Sequence, residues 1–242
     1  MLSDAQDAFG HELLDHLAGK ETWEIIERND GYFVSSLGAK LYFSEYEDWP
    51  VADKLAMSYV RGKVLDIGCG AGRHSLYLQE QGFDVHGIDN SPGAIEVCKR
   101  RGLAKTTLLP LTLSSRQLGV FDTVMMMGNN FGLLGNPRRA RWFLRRLKGM
   151  TTPEARIIAV TRDVRGTDVP EHLEYHARNR AAGKPAGQVR IRVRYKRYVT
   201  PWIDLLMVAK DELRQLLDGT GWELRETIEG EGGLYVAIIE KV

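Results

Sequence analysis

Three glycines spaced two apart follow a short apolar run in Val64-Leu65-Asp66-Ile67-Gly68-Cys69-Gly70-Ala71-Gly72-Arg73. Glycine lets the backbone turn sharply and lets a ligand approach closely, and the free N–H groups at a helix start attract an anionic group. The pattern therefore predicts a strand, a ligand-binding loop and a helix of an α/β protein; the alternative is a tight turn without a ligand. A dinucleotide-binding loop would need glycine at position 73, where Arg73 stands, which argues against nicotinamide or flavin cofactors.

Short apolar runs alternate with helical stretches from Gly62 onward, which is typical of a parallel sheet with crossover helices. The apolar runs predict five strands, at 64–67, 85–88, 107–109, 121–127 and 155–160. Helices are predicted between them at 73–81, 92–101 and 137–148. A further helix at 210–218 precedes a hairpin formed by 222–228 and 234–239.

Two segments lie outside this alternation. Residues 1 to about 60 are predicted to be a mostly helical cap, in which Phe9, Leu13 and Leu17 share one helix face. Residues 164–209 are predicted to be an insertion or lid with a polar helix and two strand-like runs. We expect one domain over residues 1–242, with its core at about 61–163 and 210–242.

An acid ends the second predicted strand. Asp89 lies 17 positions after Gly72 and is followed by Asn90-Ser91-Pro92. A carboxylate at the tip of this strand can accept both hydrogen bonds of a ribose diol, as acids at this spacing do in nucleotide-binding folds. Asp89 is the best candidate for a ribose ligand. Together with Asp89, the glycine loop indicates nucleotide binding more specifically than the glycines do alone.

Residues 64–72, with Gly87-Ile88-Asp89-Asn90-Ser91 and Phe121-Asp122-Thr123-Val124, resemble the successive motifs of the class I S-adenosylmethionine-dependent methyltransferases. The resemblance covers about residues 55–163, and the segment 210–242 fits the closing strands of that fold. It implies a Rossmann-like, doubly wound α/β sheet of seven strands with the last strand antiparallel. It also implies S-adenosylmethionine as the cofactor, with S-adenosylhomocysteine as its product.

The resemblance assigns the cofactor-binding residues by position. It implies that Asp66 orders the loop, that Gly68, Gly70 and Gly72 lie under the amino-acid part of the cofactor, and that Asp89 binds the ribose. Cys69 and Asn90 belong to the same two motifs, and Asn129 would lie near the methionine moiety. The family often has an acid after the third strand that bonds the adenine, but residues 109–114 contain none. Thr112, Ser114, the backbone or apolar packing would contact the adenine instead.

The resemblance implies a methyltransferase, and we expect a small-molecule acceptor with an oxygen or nitrogen nucleophile. The stretch Gly128-Asn129-Asn130-Phe131 lacks the prolines common in enzymes that methylate base amino groups. Residues 190–197 alternate arginine or lysine with other residues, which leaves RNA or protein methylation as an alternative. Such a strand is more often a solvated face or a protected sheet edge. A non-catalytic cofactor-binding protein is a third hypothesis.

The sequence assigns no catalytic base. His172, Tyr175 and His176 would lie on a lid helix and are candidates, although exposed positions on a surface helix explain them as well. Tyr42, Tyr46 and Trp202 are candidates for closing the site. We expect no metal, because Cys69 and Cys98 lack partners at zinc-site spacing.

Bulk composition sets the remaining expectations. The balance of 33 Lys and Arg against 32 Asp and Glu does not favour a polyanionic partner. No stretch has the length and apolarity of a membrane span, and the first residues do not resemble a secretory signal. We therefore expect a cytoplasmic protein with reduced thiols and no membrane contact, and the oligomeric state stays open.

Overall fold

The computed structural model describes residues 2–36 and 38–242; Met1 and Leu37 lie outside the described residues. The α-helices are α1 (Ala8–Leu17), α2 (Ala39–Tyr42), α3 (Val51–Met57), α4 (Arg73–Glu80), α5 (Pro92–Arg100), α6 (Pro137–Lys148), α7 (Pro170–Ala181) and α8 (Lys210–Leu217). The strands are β1 (Glu24–Arg28), β2 (Phe33–Ser36), β3 (Val64–Ile67), β4 (Val85–Asp89), β5 (Thr106–Leu108), β6 (Phe121–Met126), β7 (Thr151–Arg162), β8 (Gln188–Tyr195), β9 (Tyr198–Val199), β10 (Ile203–Leu206), β11 (Trp222–Glu229) and β12 (Leu234–Lys241).

The main sheet has seven strands within the described residues, in the order β11, β12, β7, β6, β3, β4, β5. The strands from β3 to β7 pair in parallel, and β12 runs antiparallel to both β7 and β11. The predicted seven-stranded sheet with an antiparallel last strand is confirmed. Because the chain moves outward from β3 to β5 and then returns to β6, the strand order reverses between β3 and β6. Ligands bind at such a switch point, beyond the carboxyl ends of the strands.

Helix α6 and strand β6 illustrate how the core forms. Ala140, Phe143, Leu144 and Leu147 follow helical spacing along α6, and all four are fully buried against the sheet. On β6, Met125 and Met126 point into different buried clusters on the two faces of the sheet. A central parallel strand must be apolar on both faces, so the methionines here fill the core.

A second, smaller sheet joins the N-terminal segment to the insertion. It has the order β10, β8, β1, β2, with β9 paired to β8, and these strands pair antiparallel. The expectation of a mostly helical N-terminal cap missed β1 and β2. These strands are short, and β1 finds its main partner in β8, more than 160 positions later in the chain. The cap and the insertion therefore form one layer over the main sheet.

Two buried carboxyl groups, those of Glu12 on α1 and Glu24 on β1, hold the cap together. Glu12 accepts a hydrogen bond from the Ala39 amide at 3.0 Å, and Glu24 accepts one from the Ser36 hydroxyl. The Oε2 atoms of both glutamates have no hydrogen-bond partner among the described residues. Burial, with the neighbouring Glu24 charge, raises the pKa of Glu12 to about 8. Burial also raises the pKa of Glu24, so the folded pair retains a proton near neutral pH.

We expect this proton to make stability depend on pH. A carboxyl pKa raised by folding contributes stability that is fully present below the unfolded pKa of about 4.5 and is lost as the pH rises to about 8. Glu12→Gln replaces the titrating group with a neutral amide that can still donate to Glu24. Denaturant titrations over this pH range should show a smaller fall in the free energy of unfolding for this variant. Glu21→Gln, at an exposed position nearby, should keep the wild-type slope, and an unchanged slope in the Glu12 variant would contradict the assignment.

Candidate functional site

The glycine loop lies at the carboxyl end of β3, beside the point where the strand order reverses. Gly68 and Gly70 have φ angles of 73° and 56°, a region that favours glycine. The Gly68 and Cys69 amides donate to the Ile88 carbonyl at 2.8 and 3.1 Å, which ties the loop to β4. A Cβ atom on Gly70 would meet no other atom within 4 Å, whereas one on Gly68 would lie 2.6 Å from Asn130 Nδ2. Gly70 therefore borders open space, as a surface under a ligand must.

Two carboxylates brace this loop. Asp66 is buried and accepts a hydrogen bond from the Ser75 hydroxyl at 2.6 Å, which links β3 to α4 across the loop. Asp89 accepts hydrogen bonds from the Gly70 amide at 3.0 Å and the Ser91 amide at 2.9 Å. Burial raises the pKa of both carboxyls, although the two amide hydrogen bonds oppose this for Asp89. Each Asp89 oxygen accepts one protein hydrogen bond and keeps a lone pair for a ligand hydroxyl.

A cavity of about 510 Å³ opens over the loop. Its wall comes from the loop with the end of β4, the segment after β5, the segment after β6 with the start of α6, the N-terminal cap, and the insertion. The lining from the cap and the insertion includes Phe9, Leu13, Tyr42 and residues 200–204. Trp202 therefore lines the cavity, as does Tyr42, while Tyr46 stacks on Tyr77.

Most of the predicted cofactor residues meet at this cavity. The predicted residues on its wall are Asp66, Gly68, Cys69, Gly70, Asp89, Asn90 and Thr112. Gly72 and Asn129 are not among the lining residues. Gly72 instead forms the N-cap of α4. Ser114, the other polar candidate near the adenine, is buried and donates to the Leu111 carbonyl at 2.6 Å. The roles of all these residues toward a cofactor stay predictions.

The two asparagines after β6, Asn129 and Asn130, have different surroundings. Asn129 adopts a left-handed conformation (φ 66°), and its buried Oδ1 has no hydrogen-bond partner among the described residues. Asn130 lines the cavity and donates to the carbonyls of Ile67 and Gly68 at 3.0 and 2.9 Å. Asn130 therefore braces the glycine loop, a function that its position in the sequence did not reveal.

Arg73, the residue that distinguishes this loop from a dinucleotide loop, joins it to the cap. Its guanidinium lies 2.6 Å from Asp53 on α3 and 3.0 Å from the Ser44 hydroxyl. Asp53 also lies 3.3 Å from the buried His74 ring, and burial lowers the pKa of His74. Burial raises the pKa of Tyr42, with the Glu24 and Glu12 charges adding to the effect. At neutral pH the cavity wall therefore carries a neutral imidazole and a neutral phenol.

The lid-helix candidates for a general base lie away from the cavity. His172, Tyr175 and His176 are on α7, as predicted, but none of them lines the cavity. The Tyr175 hydroxyl donates to Asn29 at 2.7 Å and accepts from the Arg190 amide, so it packs α7 on the small sheet. Tyr175 and His176 are buried, which corrects the expectation of surface positions.

Strand β8 carries Arg190, Arg192 and Arg194, and we call it the arginine strand. It is a central strand of the small sheet, and its cations are paired with carboxylates. Strand β8 lies between β1 and β10, so the interpretation as a sheet edge is wrong. Arg192 and Arg194 both bind Glu27 of β1, at 2.8 and 2.5 Å, and hold the pKa of this glutamate at about 2. Arg190 lies 3.8 Å from Asp204.

The part of the chain that the structure describes shows neither a metal-binding cluster nor a membrane-spanning helix. No group of three or more His, Cys, Asp or Glu side chains there is arranged to hold a metal ion. None of the helices in residues 2–36 and 38–242 is long and apolar enough to cross a membrane.

Comparisons with known proteins agree with this geometry. Residues 64–155 match the family model described as a methyltransferase domain. Over 180 residues the chain is 26% identical to the glycine/sarcosine N-methyltransferase of Halorhodospira halochloris, covering 68% of this chain and 67% of that protein. Over 84 residues it is 36% identical to the enzyme of the same name from Parasynechococcus marenigrum, covering 32% and 30%. The second alignment thus spans less than a third of that relative.

A solved structure resembles the whole chain. The S-adenosylmethionine-dependent methyltransferase from Bacteroides fragilis, in complex with S-adenosyl-L-homocysteine, superposes with a TM-score of 0.85 at 24% identity. The match covers 100% of this chain and 98% of that one, so the cap and the insertion share its fold as well. The glycine loop with open space above Gly70 and the free lone pairs of Asp89 suit the same cofactor. Residues 64–155 therefore carry a methyltransferase domain, the chain has the fold of an S-adenosylmethionine-dependent methyltransferase, and its site suits S-adenosylmethionine as the cofactor.

Proposed function

We propose that this protein transfers a methyl group from S-adenosylmethionine to an oxygen or nitrogen of a small-molecule acceptor. The observation that carries the proposal is the cavity in which the glycine loop and Asp89 share a wall with residues of the cap and the insertion. A volume of about 510 Å³ lies within the range of about 300–1,000 Å³ that small-molecule sites usually have. This arrangement favours a small acceptor, because both covering segments contribute to the wall.

The chain has to position the acceptor more than it has to activate it. When bound, S-adenosylmethionine supplies a methyl group on a sulfonium, which an acceptor lone pair takes while the carbon–sulfur bond breaks. Tyr42 stays a neutral phenol in the wall and can orient an acceptor by a hydrogen bond. A neutral amine needs no protein base before it reacts. Two relatives are named glycine/sarcosine N-methyltransferases, which supports testing amines first.

The same geometry offers less support for RNA or protein as the acceptor. That alternative rests on the cationic strand, where Arg192 and Arg194 are paired with Glu27. Phosphate binding would have to break these pairs before it gained any counterion release. The non-catalytic hypothesis differs from ours in predicting cofactor binding without turnover.

The proposal predicts where a labelled methyl group goes. We expect the purified protein, given methyl-labelled S-adenosylmethionine and a cell extract separated by size, to label the small-molecule fraction. The matched control is Asp89→Ala, which should strongly reduce this labelling at low cofactor concentration because the cofactor is held more weakly. Label confined to the RNA or protein fraction would overturn the small-molecule assignment. Cofactor binding without label above the control in any fraction would favour the non-catalytic hypothesis.

A further inference from the structure

One charged side chain on the cavity wall lacks a protein partner. Among the described residues, the guanidinium of Arg139 makes no hydrogen bond or ion pair, and its Nε is buried. The other charged lining side chains are all engaged by the protein. Their partners are Asp53 for Arg73, Ser75 for Asp66, the Gly70 and Ser91 amides for Asp89, and Arg190, 3.8 Å away, for Asp204.

Arg139 lies where the insertion meets α6. A Cβ atom on Gly135 would be 3.6 Å from Arg139 Nη1 and 3.6 Å from Asp204 Cβ, so the guanidinium is beside the start of β10. This part of the wall is formed by the start of α6 together with the insertion, and it is separate in sequence from the glycine loop and Asp89. It is therefore suited to contact the acceptor, while the free amides at the start of α4 suit the anionic end of the cofactor.

The position of Arg139 in its helix is electrostatically unfavourable. It lies in the first turn of α6, where the helix dipole is positive and a cation is disfavoured. Burying its Nε without a partner adds a desolvation cost. Both costs would be relieved by an anion in the cavity, and a guanidinium fork matches the geometry of a carboxylate or phosphate.

We propose that Arg139 binds an oxyanion of the methyl acceptor, so that the acceptor is a small molecule with a carboxylate or phosphate group. This inference rests on the proposed function and narrows its substrate class. The planar fork would fix the acceptor at its anionic end and leave its nucleophilic atom free to face the methyl group. An anionic acceptor would also be attracted by the net positive charge of the bound cofactor.

The test uses the protein saturated with S-adenosylhomocysteine, which cannot turn over. Calorimetric titrations and thermal shifts compare acetate, glycine and inorganic phosphate with the neutral amide acetamide. We expect at least one oxyanion to bind and acetamide not to bind. Arg139→Gln should weaken that binding by about tenfold or more while its affinity for S-adenosylhomocysteine stays within about twofold. Tighter binding of acetate would indicate an acceptor with a carboxylate, and tighter binding of phosphate would indicate an acceptor with a phosphate group.

Two further variants control the experiment. Arg139→Lys keeps the charge but loses the fork, so it should bind the oxyanion with intermediate affinity. Arg138→Gln alters the exposed neighbour in the same turn and should behave as wild type. Equal binding of acetate and acetamide, or wild-type oxyanion binding by Arg139→Gln, would overturn the proposal. A loss of S-adenosylhomocysteine affinity in Arg139→Gln would overturn it by assigning the guanidinium to the cofactor. Failure of the proposed function would give a different result. In the methyl-labelling experiment the small molecules would stay unlabelled, whatever the oxyanion titrations showed.

Discussion

Replacing Asp89 with alanine is expected to weaken the binding of S-adenosylhomocysteine by about a hundredfold or more. In the structure each Asp89 oxygen accepts one backbone hydrogen bond, from Gly70 or Ser91, and so aims its remaining lone pair at the cavity. A ribose diol that donates to both oxygens would lose two charge-assisted hydrogen bonds, each worth about 1.5–3 kcal/mol. The Gly70 amide would also lose its acceptor, which loosens the loop. Calorimetric titration of the purified variant measures the effect directly.

A variant at the other end of β4 provides the control. Asp84 directly precedes the strand, is exposed, and pairs with Lys105 at 2.6 Å. Asp84→Ala should therefore bind S-adenosylhomocysteine within about twofold of wild type, since an exposed pair contributes little. Thermal unfolding of both variants checks that they fold. A folded Asp89→Ala protein with wild-type affinity would show that another group holds the ribose.

Replacing Gly70 with alanine is expected to lower cofactor affinity by about tenfold to a hundredfold, the range that corresponds to overpacking by about 1–3 kcal/mol. The added Cβ would meet no protein atom within 4 Å, so it would project into space that the cofactor needs. Because Gly70 has a φ of 56°, alanine there also costs about 1–2 kcal/mol of folding free energy. Affinity and stability should therefore fall together in this variant.

A Gly82→Ala variant separates the loss of cofactor affinity from the loss of stability. Gly82 also has a positive φ, 87°, and a Cβ there would also meet nothing within 4 Å, but it lies in the turn between α4 and β4. Gly82→Ala should lose a similar amount of stability in denaturant titrations and keep its cofactor affinity. If both variants lost affinity equally, backbone strain rather than a blocked ligand site would explain the result.

Local signals explain what could be predicted of the main sheet. Strands β3 to β7 were identifiable because each is a short apolar run beside turn residues or a helix start. Asp89 was identifiable because its position at the tip of β4 follows from chain order. The small sheet was missed because β1 depends on β8, and Glu27 is 165 positions from its partner Arg192. No local pattern indicates that this pair neutralises the arginine strand.

The side of the cavity that we propose for the acceptor was harder to predict for a related reason. Tyr42 and Arg139 reach the cavity only after the cap and the insertion pack over the sheet. At the asparagine pair, the left-handed turn at Asn129 determines that Asn130 faces the glycine loop. Which of the two asparagines faces the loop depends on the backbone angles at this turn. The sequence Asn-Asn does not determine those angles. The wall beside the glycine loop is therefore largely encoded locally, and the wall from the cap and the insertion is encoded by long-range packing.

The most direct test of the central claim is a calorimetric titration of the purified, folded protein with S-adenosylmethionine and, separately, with NADH. We predict saturable binding of S-adenosylmethionine at one site per chain, competition by S-adenosylhomocysteine, and no comparable binding of NADH. This follows from the glycine loop, from Arg73 in place of a further glycine, and from Asp89 beside the cavity. A folded protein that binds NADH in preference, or that does not bind S-adenosylmethionine, would contradict the claim.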